Sequence, residues 1–238
     1  MSAISLKNMW KRFYDPSLGQ VETPQGVLSL PKLFLPFFLE MFLMNLMSTV
    51  NTFTLSFYSD QAVAAVGAAG QFMGMVMTFY SVISTGASIV ISQNLGARQY
   101  ERAKKGARFG IICSVIIAEL IGIIIYAAAP VLIAAFNRDP SVIHYGVMQA
   151  RIIALFYCLL AFSHCIAAVL RGSGHAAVPM VVMLCDWCLF RVSYITVAVR
   201  LISDIRVIFW AYPLTWSISS VIFLYLFLRG KWVYGFEK

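Results

Sequence analysis

Between Leu33 and Leu228 the chain carries six charge-poor apolar runs, each near or above the roughly 20 residues that carry a helix across the hydrocarbon of a bilayer. They extend over about Leu33–Phe57, Val63–Ile91, Ala107–Phe136, Gly146–Leu170, Ala177–Val199 and Val207–Leu228. Lipid offers no hydrogen bonds to a backbone, so segments of this kind become helices or strands of a closed barrel. Barrel strands are short and alternate apolar with polar residues, a pattern these runs lack. Hydrophobic residues make up 61% of the chain and charged residues only 12%. An ordinary soluble domain has roughly half and a quarter, so a soluble globule is excluded. The expected fold class is an all-α membrane protein, a bundle of six transmembrane helices over residues 33–228. An amino-terminal cytoplasmic or interfacial segment (1–32) precedes it and a cytoplasmic tail (229–238) follows.

The connections carry turn chemistry at Ser59-Asp60, Gly96, Asn137-Arg138-Asp139-Pro140, Gly172-Ser173-Gly174 and Ser203-Asp204. Thirteen of the eighteen Lys and Arg fall on one set of segments: Lys7, Lys11, Arg12, Lys32, Arg98, Arg102, Lys104, Lys105, Arg108, Arg171, Arg229, Lys231 and Lys238. Cytoplasmic loops retain positive charge, so both termini are expected in the cytoplasm. The net charge of +8 is thereby a topology signal, with attraction to anionic membrane lipids second, and nucleic-acid binding is not indicated. Within Met1–Tyr14, Leu6, Met9, Trp10 and Phe13 recur at helical spacing among Lys7, Lys11 and Arg12, which fits either a short interfacial helix or a disordered basic tail. No cleavable signal peptide is evident. All five cysteines lie in apolar runs, where a thiol behaves as a small hydrophobe. Cys185 and Cys188 form a C-x-x-C without a second pair, so a zinc or redox role is disfavoured.

Ionisable residues at membrane depth are costly and point to function. Glu40, Glu119, Asp186 and Arg191 are in this class. Glu40 and Asn51 are eleven residues apart and share a helix face with Met44 and Met47 between them. Such a face suits the wall of a cavity for a greasy or cationic solute, with Gln71 as a further cavity candidate. The structural alternative is a helix–helix contact in which Glu40 is protonated and hydrogen-bonded. Glu119 and Asp186 lie deeper and are candidate proton or cation sites, since burial favours the neutral acid and allows a proton to load and leave near neutral pH. Either could instead be a neutral acid or an ion pair that fixes packing. Asp186 and Arg191 are five apart, about 140° around an α-helix, so each is expected to find its partner on another span. Arg191 shares a face with Trp187, favouring a structural cation–π contact. Pro213, among Trp210, Tyr212 and Trp216, reads as a helix kink with interfacial anchors. His164 reads as a packing residue. Gly67, Gly70 and Gly74 form a small-residue face suited to close helix approach. No nucleophile elbow, metalloprotease motif or phosphate-cradling glycine loop is present, so the sequence supports neither an enzyme nor a metal or organic cofactor.

Three groups of residues resemble the multidrug and toxic compound extrusion (MATE) family. They are Leu35-Pro36 with Asp60-Gln61-Ala62-Val63-Ala64-Ala65-Val66-Gly67; the Gly86–Arg98 stretch GASIVISQNLGAR; and Leu170-Arg171-Gly172-Ser173-Gly174-His175 followed by Val178-Pro179-Met180. The likeness covers roughly residues 33–228. Family members are usually twelve-helix proteins of two six-helix lobes with the substrate cavity between them, whereas this sequence holds one lobe. Its close, Tyr212–Trp216 into Arg229–Trp232, is similar to the end of a second lobe. An even span count would let two copies insert in parallel, so the resemblance implies a homodimer or a second six-helix chain as partner. It further implies proton- or sodium-driven export of amphipathic or cationic small organic compounds across a bacterial inner membrane, with Glu40, Glu119 and Asp186 as coupling candidates. The alternatives are a non-transporting remnant, a subunit that needs a second chain, or a lipid-linked precursor flippase.

Overall fold

The computed structural model describes residues 20–23, 26–57, 59–202, 204–229 and 231–234; the segment Met1–Tyr14 and the side chain of Asn51 lie outside the described residues. A two-stranded antiparallel hairpin, β1 (Gln20–Thr23) and β2 (Gly26–Ser29), pairs Gln20 with Ser29 and Thr23 with Gly26. It lies in the segment the sequence assigned to no regular element. Helices follow: α1 (Leu30–Ser56), α2 (Asp60–Gly96), α3 (Tyr100–Phe136), α4 (Pro140–Ala154), α5 (Tyr157–Gly172), α6 (Ala177–Leu201), α7 (Arg206–Leu228) and the short α8 (Lys231–Tyr234).

The expected turn residues start these helices. Ser59 Oγ accepts from Ala62 N–H at 3.1 Å and caps α2, while Asp139 accepts from Ser141 N–H at 2.8 Å and caps α4 with Pro140 in its first turn. Between α2 and α3 it is Arg98 that turns left-handed, with φ 58°.

Among the described residues, α2, α3, α6 and α7 are long and apolar enough to cross a membrane, and α4 with α5 makes one further span bent by 55°. The chain is therefore a multi-pass membrane protein. The uninterrupted fourth span expected over Gly146–Leu170 is corrected to two helices broken at Leu155-Phe156, where no Gly or Pro announces the break. The fifth run is also irregular: Leu184–Phe190 forms a π-helical segment inside α6, with the Arg191 N–H bonded to the Asp186 carbonyl five residues back.

The centre of the bundle is α2, α3 and α5, each in contact with the other two, with α4 against α2 and α3. The buried face of α3 is a ladder of small residues, Ala103, Ala107, Gly110, Ser114, Ala118, Gly122 and Ala129, at spacings of three, four and seven. Small side chains let helix backbones approach in lipid, where no hydrophobic force drives them together. A Cβ on Gly122 would fall 2.5 Å from the Ala154 carbonyl oxygen, and one on Gly172 2.7 Å from that of Ser88. At Gly67, Gly70 and Gly74, by contrast, nothing lies within 4 Å of an added Cβ. The close-contact face expected there is corrected to α3 and to the end of α5, because those three glycines point away from the neighbouring helices. Phe109, Ile112, Ile116, Leu120, Ile123 and Val131 form the opposite, exposed stripe of α3, as a helix bordering lipid requires.

Candidate functional site

A cleft of about 440 Å³ opens between α1, α2, α5, α6 and α7. Its walls bear a density of thioethers, Met41, Met44 and Met47 from α1 with Met73 and Met77 from α2, and close on Tyr80, His164, Trp187, Arg191 and Tyr212. The helical spacing of Met44 and Met47 and of Met73 and Met77 puts each pair on one face, so two helices present flexible, polarisable side chains across the same gap. A second recess of about 300 Å³ shares Met41, Tyr80, Ser81 and His164 with the first and runs on to Ser84, Ser88 and Arg171. The exposed residues Met41, Asn45, Thr78 and Ser81 mark the open side of the cleft.

The acids expected at membrane depth have separate fates. Glu40 is wholly buried and accepts two bonds of 3.0 Å from Nη1 of Arg171, joining α1 to the end of α5. Its carboxylate is thus turned to a basic partner and does not line the cleft. Glu119, half-buried on α3, accepts from the Cys158 N–H at 3.1 Å. That amide belongs to the first turn of α5, whose starting residue Phe156 supplies no side-chain cap. A helix broken inside a membrane bares amides that must be satisfied, and the end of its dipole favours a negative charge. Glu119 answers both demands from the neighbouring helix.

Asp186 sits in the π-helical segment, 3% exposed, and neither carboxylate oxygen has a hydrogen-bond partner among the described residues. Ser219 of α7 is the nearby hydrogen-bonding group and Arg191 the nearby charge. The expected α-helical offset between Asp186 and Arg191 is corrected by the wider π turn, which stacks positions five apart; the two still form no ion pair within 4.0 Å. Arg191, 4% exposed, donates from Nε and Nη2 to Thr215 Oγ1 at 3.1 and 2.9 Å. Trp187 and Tyr212 each place a ring centroid 4.5 Å from its guanidinium carbon. Thr215 in turn donates to the Ala211 carbonyl. Pro213 is buried inside a continuous α7, and Trp210 beside it meets Phe156 at the α4–α5 break, ring centroids 5.9 Å apart.

Met44 and Met47 therefore line the cleft, while Gln71 is exposed on α2 away from it. Met73, Met77, Tyr80 and Thr215 escaped the sequence reading, and Tyr212, read there as an interfacial anchor, lines the cleft. The thioether criterion applied to α1 would have found Met73 and Met77, whereas nothing in the sequence ties Thr215 to Arg191. Among the described residues no three His, Cys, Asp or Glu side chains gather as a metal site, and all five cysteines are free thiols.

Residues 36–197 match the MatE family, more than half of the chain. The chain belongs to the MatE family. Among curated relatives, MatE residues here are 29% identical over 156 positions to the uncharacterized transporter YisQ of Bacillus subtilis, covering 66% of this chain and 34% of that protein. The probable multidrug resistance protein NorM of Thermotoga maritima is 28% identical over 155 residues, covering 63% of this chain and 32% of that one. The chain thus aligns with about a third of the length of these relatives. A crystal structure of a MATE in complex with MaD3S superposes with a TM-score of 0.77 at 22% identity, over 83% of this chain and 45% of that chain. The likeness establishes the fold as that of about half of a MATE transporter.

Proposed function

We propose that this MatE chain is one six-span lobe of an ion-coupled exporter of amphipathic organic compounds. In this reading α1 is a span and α4–α5 one broken span, six in all, and the Lys and Arg distribution supports cytoplasmic placement of both termini. The bacterial relatives favour a bacterial inner membrane. The observation that carries the reading is the thioether- and aromatic-walled cleft of about 440 Å³, within the range of small-molecule sites, with an acid lacking hydrogen bonds directly behind its wall. Met side chains adapt to solutes of differing shape, as an exporter of broad specificity needs.

Of the three candidate acids, Asp186 is best suited to exchange a proton or sodium ion with the substrate cycle. Glu40 and Glu119 already hold partners, whereas Asp186, with Ser219 and Arg191 near it, makes no hydrogen bond of ordinary geometry among the described residues. The cleft is open on one side, so a second lobe, from another copy or another six-helix chain, would complete the enclosure and allow alternating access. Proteoliposomes loaded with a fluorescent dye and given a pH or sodium gradient test this. Gradient-dependent dye movement is expected with the unmodified chain and is expected to fall at least tenfold in Asp186→Asn. Dye movement in Asp186→Asn that keeps its full ion dependence would remove the coupling role from Asp186.

A further inference from the structure

The charge facing the cleft is positive, and it is placed to be read by a ligand. Glu40, the acid first expected to attract a cation, is consumed by Arg171. None of the residues lining either recess is Asp or Glu; Arg191 lines the first, and Arg171, which lines the second, is already paired with Glu40. Arg191 is held on most of its periphery. Its Nε and Nη2 edge is fixed by Thr215, and the rings of Trp187 and Tyr212 flank the guanidinium. A guanidinium has five N–H donors, and two are used here. The end formed by Nη1 with the remaining Nη2 hydrogen has no partner among the described residues. Arg191, though 4% exposed, is among the residues that line the cleft. His164 Nε2 is sealed in the adjoining wall without a partner, its ring 5.7 Å from that of Trp187.

We propose that Arg191 is an anion-recognition residue, and that the cleft takes amphipathic compounds bearing a carboxylate, sulfonate or phosphate. The acid group docks end-on to Nη1 and Nη2, and the apolar body lies along Met44, Met47, Met73 and Met77. The free end of a guanidinium matches two oxygens of such a group, and a charge-assisted pair is strongest where water is scarce. Holding the arginine in advance with Thr215 and two aromatic rings lowers the ordering cost of binding. The fit to a cation is poor, because an ammonium in the cleft would meet Arg191 on the wall, whereas the unpaired acid Asp186 is buried and is not among the lining residues. This inference rests on the exporter reading and narrows the cargo from amphipathic compounds in general to those with an acidic head.

The test uses three probes with one fluorophore, dansylglycine, its uncharged methyl ester and dansylcadaverine, titrated into the full chain in nanodiscs of zwitterionic lipid. Dansylglycine is expected to bind at least tenfold tighter than the ester and the amine. Arg191→Gln is expected to remove that preference, and Arg191→Lys to restore part of it. Should Arg191→Gln not fold, competition on the unmodified chain decides: octanesulfonate is expected to displace dansylglycine and octylammonium is not. Displacement by phosphatidylglycerol as well would assign the same acidic-head recognition to a lipid, and its failure to displace would assign it to a soluble solute. Equal or tighter binding of dansylcadaverine, or an Arg191→Gln variant with undiminished preference for dansylglycine, overturns the proposal. Selective anion binding without gradient-driven movement would leave this site standing and defeat the exporter reading; gradient-driven movement of the amine alone would do the reverse.

Discussion

The two sides of the bundle are built on opposite rules. Around α3, small residues bring helices into backbone contact, and the break between α4 and α5 is mended by Glu119. Around the cleft, α1 and one face of α2 carry flexible thioethers, while α6 and α7 bring a π-helical turn, an internal proline and the buried carboxylate of Asp186. Close packing leaves few alternative arrangements, whereas thioethers and a widened helical turn admit several. The contrast assigns rigidity to α2–α5 and adaptability to the cleft side.

Substitutions in the packed half therefore have the largest expected effects. Gly122→Leu would drive a side chain into the Ala154 carbonyl and the Tyr157 ring, and is expected to cost about 3 kcal/mol or prevent folding. Thermal unfolding in mild detergent reads this, and Gly67→Leu, which meets open space, is the matched control expected to change little. Glu40→Gln removes the charge opposing Arg171; since Arg171 keeps 21% of its side chain accessible and can partly rehydrate, a loss of about 2 kcal/mol is expected. An unchanged melting temperature would show that the α1–α5 link adds nothing to stability.

Glu119 separates capping from coupling. Glu119→Leu strands the Cys158 amide and is expected to cost about 1–2 kcal/mol, while Glu119→Gln keeps an acceptor and is expected to lose less than half of that. Ion dependence lost in Glu119→Gln at unchanged stability would move the coupling role to this residue. The smallest effect is at Arg98, whose left-handed conformation is strained for any side chain. Arg98→Gly is expected to stabilise by about 0.5 kcal/mol, measurable as a slight rise in melting temperature.

Much of the architecture was legible because lipid imposes a length and an apolarity that composition records directly. The ends of α2, α6 and α7 fall within a few residues of the apolar runs, and Ser59 and Asp139 announce their helices by chemistry. The break at Leu155-Phe156 was not legible, because the residues that meet it, Glu119 and Gly122, lie more than thirty positions earlier and become local only in three dimensions. The π turn at Leu184–Phe190 was equally hidden, since its residues would serve an α-helix as well. For the site, membrane depth picked out the acids and Arg191, but depth carries no information about partners. Arg171, counted from sequence as a loop charge, turns out to neutralise Glu40, so that acid offers the cleft no negative charge.

The cap on α5 is carried by a different helix, and this couples their movements. Were α3 to slip along α5 by a single residue step, about 1.5 Å, an amide would be bared within the hydrocarbon. The two must pivot as one piece, so any change in the shape of the cleft has to come from its far wall.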